Sequence, residues 1–111
     1  MPRPIRSIDI FLPLDSNDGE PFGEADYISL QEELLERFGG VTSTHRQFPL
    51  QGLWRANGEV FQDRIVVFNV MDLRAKTAFQ TLHYLQRLKT RLKKRFAQLE
   101  ILITIQELLA I

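Results

Sequence analysis

The sequence predicts an α+β domain built in the order strand, helix, strand, strand, helix, strand. Three observations carry this expectation. Apolar residues alternate with a period of two over residues 5–14, 60–71 and 99–106. Over residues 24–38 and 73–96 they recur instead at helical spacing. Between them, an Asn57-Gly58 pair joins two extended runs, which is a strong hairpin signal. This order is that of a ferredoxin-like βαββαβ sandwich: a four-stranded antiparallel sheet with two helices on one face. Right-handed crossovers put both helices on that face.

The first strand places Ile8, Ile10, Leu12 and Leu14 on one side, and Ser7, Asp9 and Phe11 on the other. Residues 15–21 are dense in turn formers and read as a loop. The first helix, 24–38, buries a stripe of Tyr27, Ile28, Leu30, Leu34, Leu35 and Phe38. Glu24 and Asp26 suit the positive end of its dipole. Gly39 stands where a left-handed cap is needed. Residues 41–56 read as an edge strand interrupted at Pro49, which has no N–H to give a ladder. The run 60–71 is apolar on both faces, with Val66, Phe68 and Val70 on one and Ile65, Val67 and Met71 on the other, as in a central strand. Asp72 is the expected N-cap of the second helix. That helix buries Ala75, Ala78, Phe79, Leu82, Leu85, Leu88, Leu92 and Phe96. The last strand, 99–106, turns Leu99, Ile101 and Ile103 to the helices and Glu100, Leu102 and Thr104 away.

The 111 residues make one domain, 1–111, with no repeat, low-complexity stretch or linker. With 44% hydrophobic and 25% charged residues, the chain has the composition of a globular protein. It has no cysteine, which excludes disulfides, thiolate metal ligands and cysteine nucleophiles. The basic start, Met1 to Arg6, is followed by an apolar run broken by Asp9 and Pro13, too short for a signal-peptide core. A cytoplasmic protein with no membrane contact is therefore expected.

The net charge of zero conceals an uneven layout. Residues 1–72 hold 12 acidic and 6 basic side chains, whereas residues 73–99 hold 8 basic and none acidic. Arg87, Lys89, Arg91, Lys93, Lys94 and Arg95 form a candidate nucleic-acid surface on the second helix. The first helix, expected beside it, carries Glu32, Glu33 and Glu36, so mutual neutralisation is the simpler expectation.

His45, Trp54, Asp63, Glu100 and Asp9 are the candidate pocket residues. Asp9, Asp63 and Glu100 fall on the open sheet face, where converging carboxylates would serve as a general base. Solvated carboxylates, or pairing with Arg55 or Arg64, are the simpler alternative. Trp54 beside Gly52 would stack on a ligand or anchor an edge strand. His45 and His83 lack metal-ligand spacing, so no metal site and no cofactor are expected. No phosphate-binding loop, nucleophile elbow or dinucleotide fingerprint occurs.

The run Glu36-Arg37-Phe38-Gly39-Gly40-Val41-Thr42, then Gly52-Leu53-Trp54, Asp63 with Val66-Val67-Phe68, and Phe96 with Gln98, Glu100 and Ile101 resembles a group of small bacterial proteins of unknown function. The resemblance implies a single ferredoxin-like domain but no reaction or ligand. A looser likeness is to the dimeric α+β barrel proteins, which include small oxygenases.

The leading expectation is a non-enzymatic homodimeric binding or accessory domain. One alternative is a small cofactor-independent or haem-handling enzyme of the dimeric α+β barrel type. Another is a nucleic-acid-binding domain using the basic helix. Phe11, Ile65, Val67 and Leu102 make the open sheet face apolar enough to need a cover. A second copy of the chain is the economical cover, with residues 15–23 or 41–56 as the intramolecular alternative. Burying part of such a patch contributes several kcal/mol at roughly 25 cal/mol per Å². Val67→Asp is therefore expected to give a folded monomer by circular dichroism and light scattering, where the parent is a dimer. A monomeric parent at high micromolar concentration would count against a second copy as the cover.

Overall fold

The computed structural model describes residues 1–44, 49–73 and 78–111. Its elements are β1 (Arg3–Pro13), α1 (Glu24–Phe38), β2 (Thr42–Ser43), β3 (Leu50–Ala56), β4 (Glu59–Asp72), α2 (Ala78–Arg95) and β5 (Ile103–Ala110). They form one five-stranded antiparallel sheet in the order β2-β4-β1-β5, with β3 also paired to β4.

The α+β class, the antiparallel pairing and the two helices are as expected; the four-stranded ferredoxin-like arrangement is not. Two pieces occupy the edge where one strand was predicted. β2 pairs with Asn69 and Phe68, and β3 runs from Leu50 opposite Ile65 to Ala56 opposite Glu59. Pro49, unable to donate to a ladder, stands just before β3.

One face of the sheet holds the core. Ile8, Ile10 and Leu12 of β1 lie opposite Val70, Phe68 and Val66 of β4, and all six are buried. Tyr27, Leu30, Leu34 and Phe38 of α1 and Leu85, Leu88 and Leu92 of α2 close over them in the same cluster. Both helices therefore cover one face. Gly39 ends α1 as expected, at φ 81° with its N–H on the Leu35 carbonyl. Asn57 and Gly58, at φ 53° and 79°, make the tight β3–β4 turn with the two positive φ angles of the type I′ form.

Four local expectations are corrected. Ile28 and Leu35, expected in the buried stripe of α1, are exposed on its flanks. Asp72 ends β4, and its buried carboxylate accepts hydrogen bonds from Thr81 Oγ1 at 2.8 Å and Arg6 at 3.2 Å. Thr81 consequently faces the core, while Phe79 and Leu82 of the predicted stripe are exposed; Ala75 lies outside the described residues. The last strand begins at Ile103 because the chain leaves α2 through Ala97, at φ 50°, with Gln98 N–H on Lys93 O and Ala97 N–H on Lys94 O. That is a Schellman ending without its usual glycine. The chain rejoins the sheet only after this turn, which leaves Leu99, expected to start the strand, 97% exposed.

The predicted helix-to-helix neutralisation is present in part. Arg91 grips Glu33 through two hydrogen bonds of 2.8 and 2.6 Å, and the Tyr84 hydroxyl donates to the same carboxylate. The Arg37 guanidinium lies 3.9 Å above the Tyr84 ring. Arg91 first, then Tyr84, holds Glu33 below its ordinary pKa of 4.5. A depressed carboxylate contributes stability above its unfolded pKa and loses it as pH falls through the folded value. Replacing Glu33 by Gln should thus cost about 1 kcal/mol near pH 7, the pair being half exposed. Urea unfolding of the two proteins should converge as the pH falls well below 4.5. A difference that is unchanged at low pH would contradict this account.

Candidate functional site

β4 is longer than its neighbour. β1 reaches only as far as Pro13, opposite Ile65, after which Leu14 N–H takes the Arg64 carbonyl and the chain turns away. Residues 59–63 of β4 therefore pair with β3 alone, and the β3–β4 hairpin projects past the core. The radius of gyration is 15.1 Å, against about 13 Å for a compact chain of this length.

Beneath the overhang, on the face away from the helices, lies a cleft of about 660 Å³. Phe11, Ile65 and Leu102 form its floor, and Gly52, Leu53 and Trp54 of β3 form one wall. The opposite wall is the turn Gln98–Leu102, joined by Asn17 from the loop after β1. Asn17 is fixed there by its side-chain amide, which donates to Ala97 O at 3.3 Å. Gln98 is fixed by donating to Phe96 O at 2.9 Å.

Trp54 stands half exposed on the wall. Its ring stacks on Phe61, centroids 4.6 Å apart, and its indole N–H donates to Asp63 Oδ2 at 2.7 Å. Strand alternation puts Gly52, Trp54, Phe61, Asp63 and Ile65 on one side of the hairpin. The missing side chain at Gly52, opposite Asp63, is part of what keeps the cleft open. Glu100 lies on the other rim, with Lys89 Nζ at 2.7 Å from Oε1. That Lys89 bond, followed by the Ile101 N–H, holds its carboxyl below the ordinary carboxylate range.

Of the residues expected to form a pocket, the cleft brings together Trp54, Asp63 and Glu100. Asp9 lies farther along the sheet, opposite Asn69, whose amide donates to Asp9 Oδ1 at 2.7 Å and to Ser7 Oγ at 2.9 Å. It does not converge with the other carboxylates. His45 lies outside the described residues. Of the expected contact face, Phe11, Ile65 and Leu102 line the cleft, and Val67 stands beside Phe11 in the next strand. Asn17 carries no pocket signal in the sequence, and Gly52 and Gln98 stand out there only beside Trp54 and in the resemblance, not as pocket residues. Their role depends on contacts such as the one across 80 residues between Asn17 and Ala97, for which no local pattern exists.

Among the described residues, no group of three His, Cys, Asp or Glu side chains is placed to hold a metal ion. No described helix is long and apolar enough to cross a membrane.

No family model matches the sequence, and no curated protein matches it. Among solved structures, the fold is similar to a phage SAM lyase in complex with S-methyl-5′-thioadenosine. The TM-score is 0.70 at 19% identity, covering 93% of this chain and 81% of that one. It is similar also to a phage SAM lyase in the apo state, with a TM-score of 0.69 at 20% identity over 92% and 79% of the two chains. At this identity the likeness is one of fold.

Proposed function

We propose that this chain is a small enzyme that binds S-adenosylmethionine in the cleft and breaks a carbon–sulfur bond at its sulfonium. This follows the enzyme alternative rather than the accessory-domain expectation. The observation that carries it is the lining of the cleft: apolar floor, aromatic wall and carboxylate rim, on a fold shared with SAM lyases. Trp54 and Phe11 offer flat apolar surface to a purine. Asp63 and Glu100 offer negative charge to a sulfonium.

The chemistry asks little of the protein. A sulfonium departs as a neutral thioether, taking the electron pair of the broken bond, so no general acid is needed. Breaking the bond to the methionyl chain releases S-methyl-5′-thioadenosine. The four-carbon fragment closes on its own carboxylate, forming a C–O bond in place of the C–S bond. Opposite charges are annihilated in that step, so transfer from water to the apolar floor favours it. The carboxylates at the rim serve binding.

Purified protein incubated with S-adenosylmethionine should release S-methyl-5′-thioadenosine, seen by chromatography, with a lactone as co-product by mass spectrometry. Binding should change the fluorescence of Trp54, the single tryptophan. Trp54→Ala should weaken binding by about 5–30-fold, the equivalent of roughly 1–2 kcal/mol for a lost aromatic contact to a cationic ligand. Gly52→Leu should abolish binding with the fold intact, because a Cβ there meets its nearest atoms only at 3.9 Å. No product and no fluorescence response at millimolar S-adenosylmethionine would overturn the reading.

A second copy remains part of this proposal. Leu53, Trp54, Val60 and Phe61 leave the hairpin with exposed apolar surface on both sides. Pairing of two copies over the open face would cover Val67 and the hairpin and shield the cleft from water.

A further inference from the structure

Next to the cleft is a second recess of different chemistry. It measures about 400 Å³ and is lined by Asp15, Ser16, Gln62 and Arg64. Pro13, Asn17, Asp63 and Gln98 line both it and the cleft, so the two adjoin. Where the cleft is apolar, this recess is polar and centres on one ion pair. Arg64 Nε and Nη2 donate to the two oxygens of Asp15 at 2.8 and 2.6 Å.

We propose that this recess is the subsite for the amino-acid end of the substrate, Arg64 receiving its α-carboxylate and Asp15 its α-ammonium. The inference rests on the reading of the cleft given above. A guanidinium has five N–H donors, and the pair with Asp15 uses two, leaving donors for a second carboxylate. Each Asp15 oxygen keeps a lone pair for an ammonium. A zwitterion therefore docks on the pair as a second, antiparallel ion pair, without breaking the first. The charge count fits as well. Asp15, Asp63, Glu100 and Arg64 line the two recesses, and Lys89 stands against Glu100, giving three negative charges and two positive. S-adenosylmethionine carries two positive charges and one negative.

The Asp15 side of the pair is held by its own loop. Ser16 N–H bonds to Glu20 O, Gly19 N–H to Ser16 O and Phe22 N–H to Leu14 O, closing the turn on itself. Arg64 lowers the pKa of Asp15 from its ordinary value, keeping it ionised. The site is thus shaped before ligand arrives, which reduces the ordering cost of binding.

The test compares two ligands that differ at this end alone. S-Adenosylhomocysteine, an unreactive thioether, keeps the amino-acid end; S-methyl-5′-thioadenosine lacks it. Binding of each is measured by calorimetry and Trp54 fluorescence on the parent, Arg64→Gln, Arg64→Lys and Asp15→Asn proteins. Arg64→Gln and Asp15→Asn should weaken S-adenosylhomocysteine tenfold or more while leaving S-methyl-5′-thioadenosine within twofold, and Arg64→Lys should recover part of the loss. Equal losses for both ligands, or none for either, would overturn the subsite and leave the reading of the cleft standing. A parent that binds neither ligand overturns both. Arg64 is half exposed, and its backbone carbonyl, not its side chain, holds Leu14. The variants are therefore expected to fold, with circular dichroism as the check.

Discussion

The register between β1 and β4 is the constraint on which the structure depends. Ile8, Ile10 and Leu12 meet Val70, Phe68 and Val66 across the ladder, and the helices close on those six residues. A slip of one residue in β1 would turn Asp9 and Phe11 into the core and the isoleucines out to solvent. The same register fixes the open face. Asp9 meets Asn69, Phe11 meets Val67 and Pro13 meets Ile65. It thus fixes where β1 runs out, and every residue of β4 before Arg64 must find its partners elsewhere.

The site follows from that mismatch in length. Residues 59–64 are satisfied on one edge by β3, which carries Gly52 and Trp54 to the rim. On the other edge, β1 has already turned into the loop that supplies Asp15 and Asn17. Neighbouring residues of β4 then serve two recesses. Asp63 reaches Trp54 in the apolar cleft, and Arg64, the next residue, reaches Asp15 in the polar one. Alternation along one strand thereby places an aromatic, carboxylate-rimmed surface beside an ion pair.

Legibility in the sequence followed the range of the interactions. Helix 24–38 and its glycine stop, the Asn57-Gly58 turn and the core faces of the first and central strands are set by periodicity and by residues close in sequence. All of these were readable. Thr81 replaces Leu82 in the core because its hydroxyl donates to Asp72, whose carboxylate is paired in turn by Arg6, 66 residues away in the chain. The displaced start of β5 turns on Ala97 adopting a conformation that usually calls for glycine. Trp54, Asp63 and Glu100 were named as pocket residues from residue type and strand face. Arg64 was weighed only as a surface cation, because its partner Asp15 lies 49 residues away.

The charge layout acquires a different meaning in three dimensions. The basic block of α2 suggested a polyanion partner, yet two of its members are engaged inside the domain, Arg91 by Glu33 and Lys89 by Glu100. The second of these pairs stands at the rim of the cleft. There Lys89 keeps Glu100 ionised while lying outside the lining itself. The effect is to set a solvent-exposed ion pair at the mouth of an otherwise apolar space. A basic helix that looked suited to an anion is thus partly neutralised within the domain, by Glu33 of α1 and by Glu100 at the rim of the cleft.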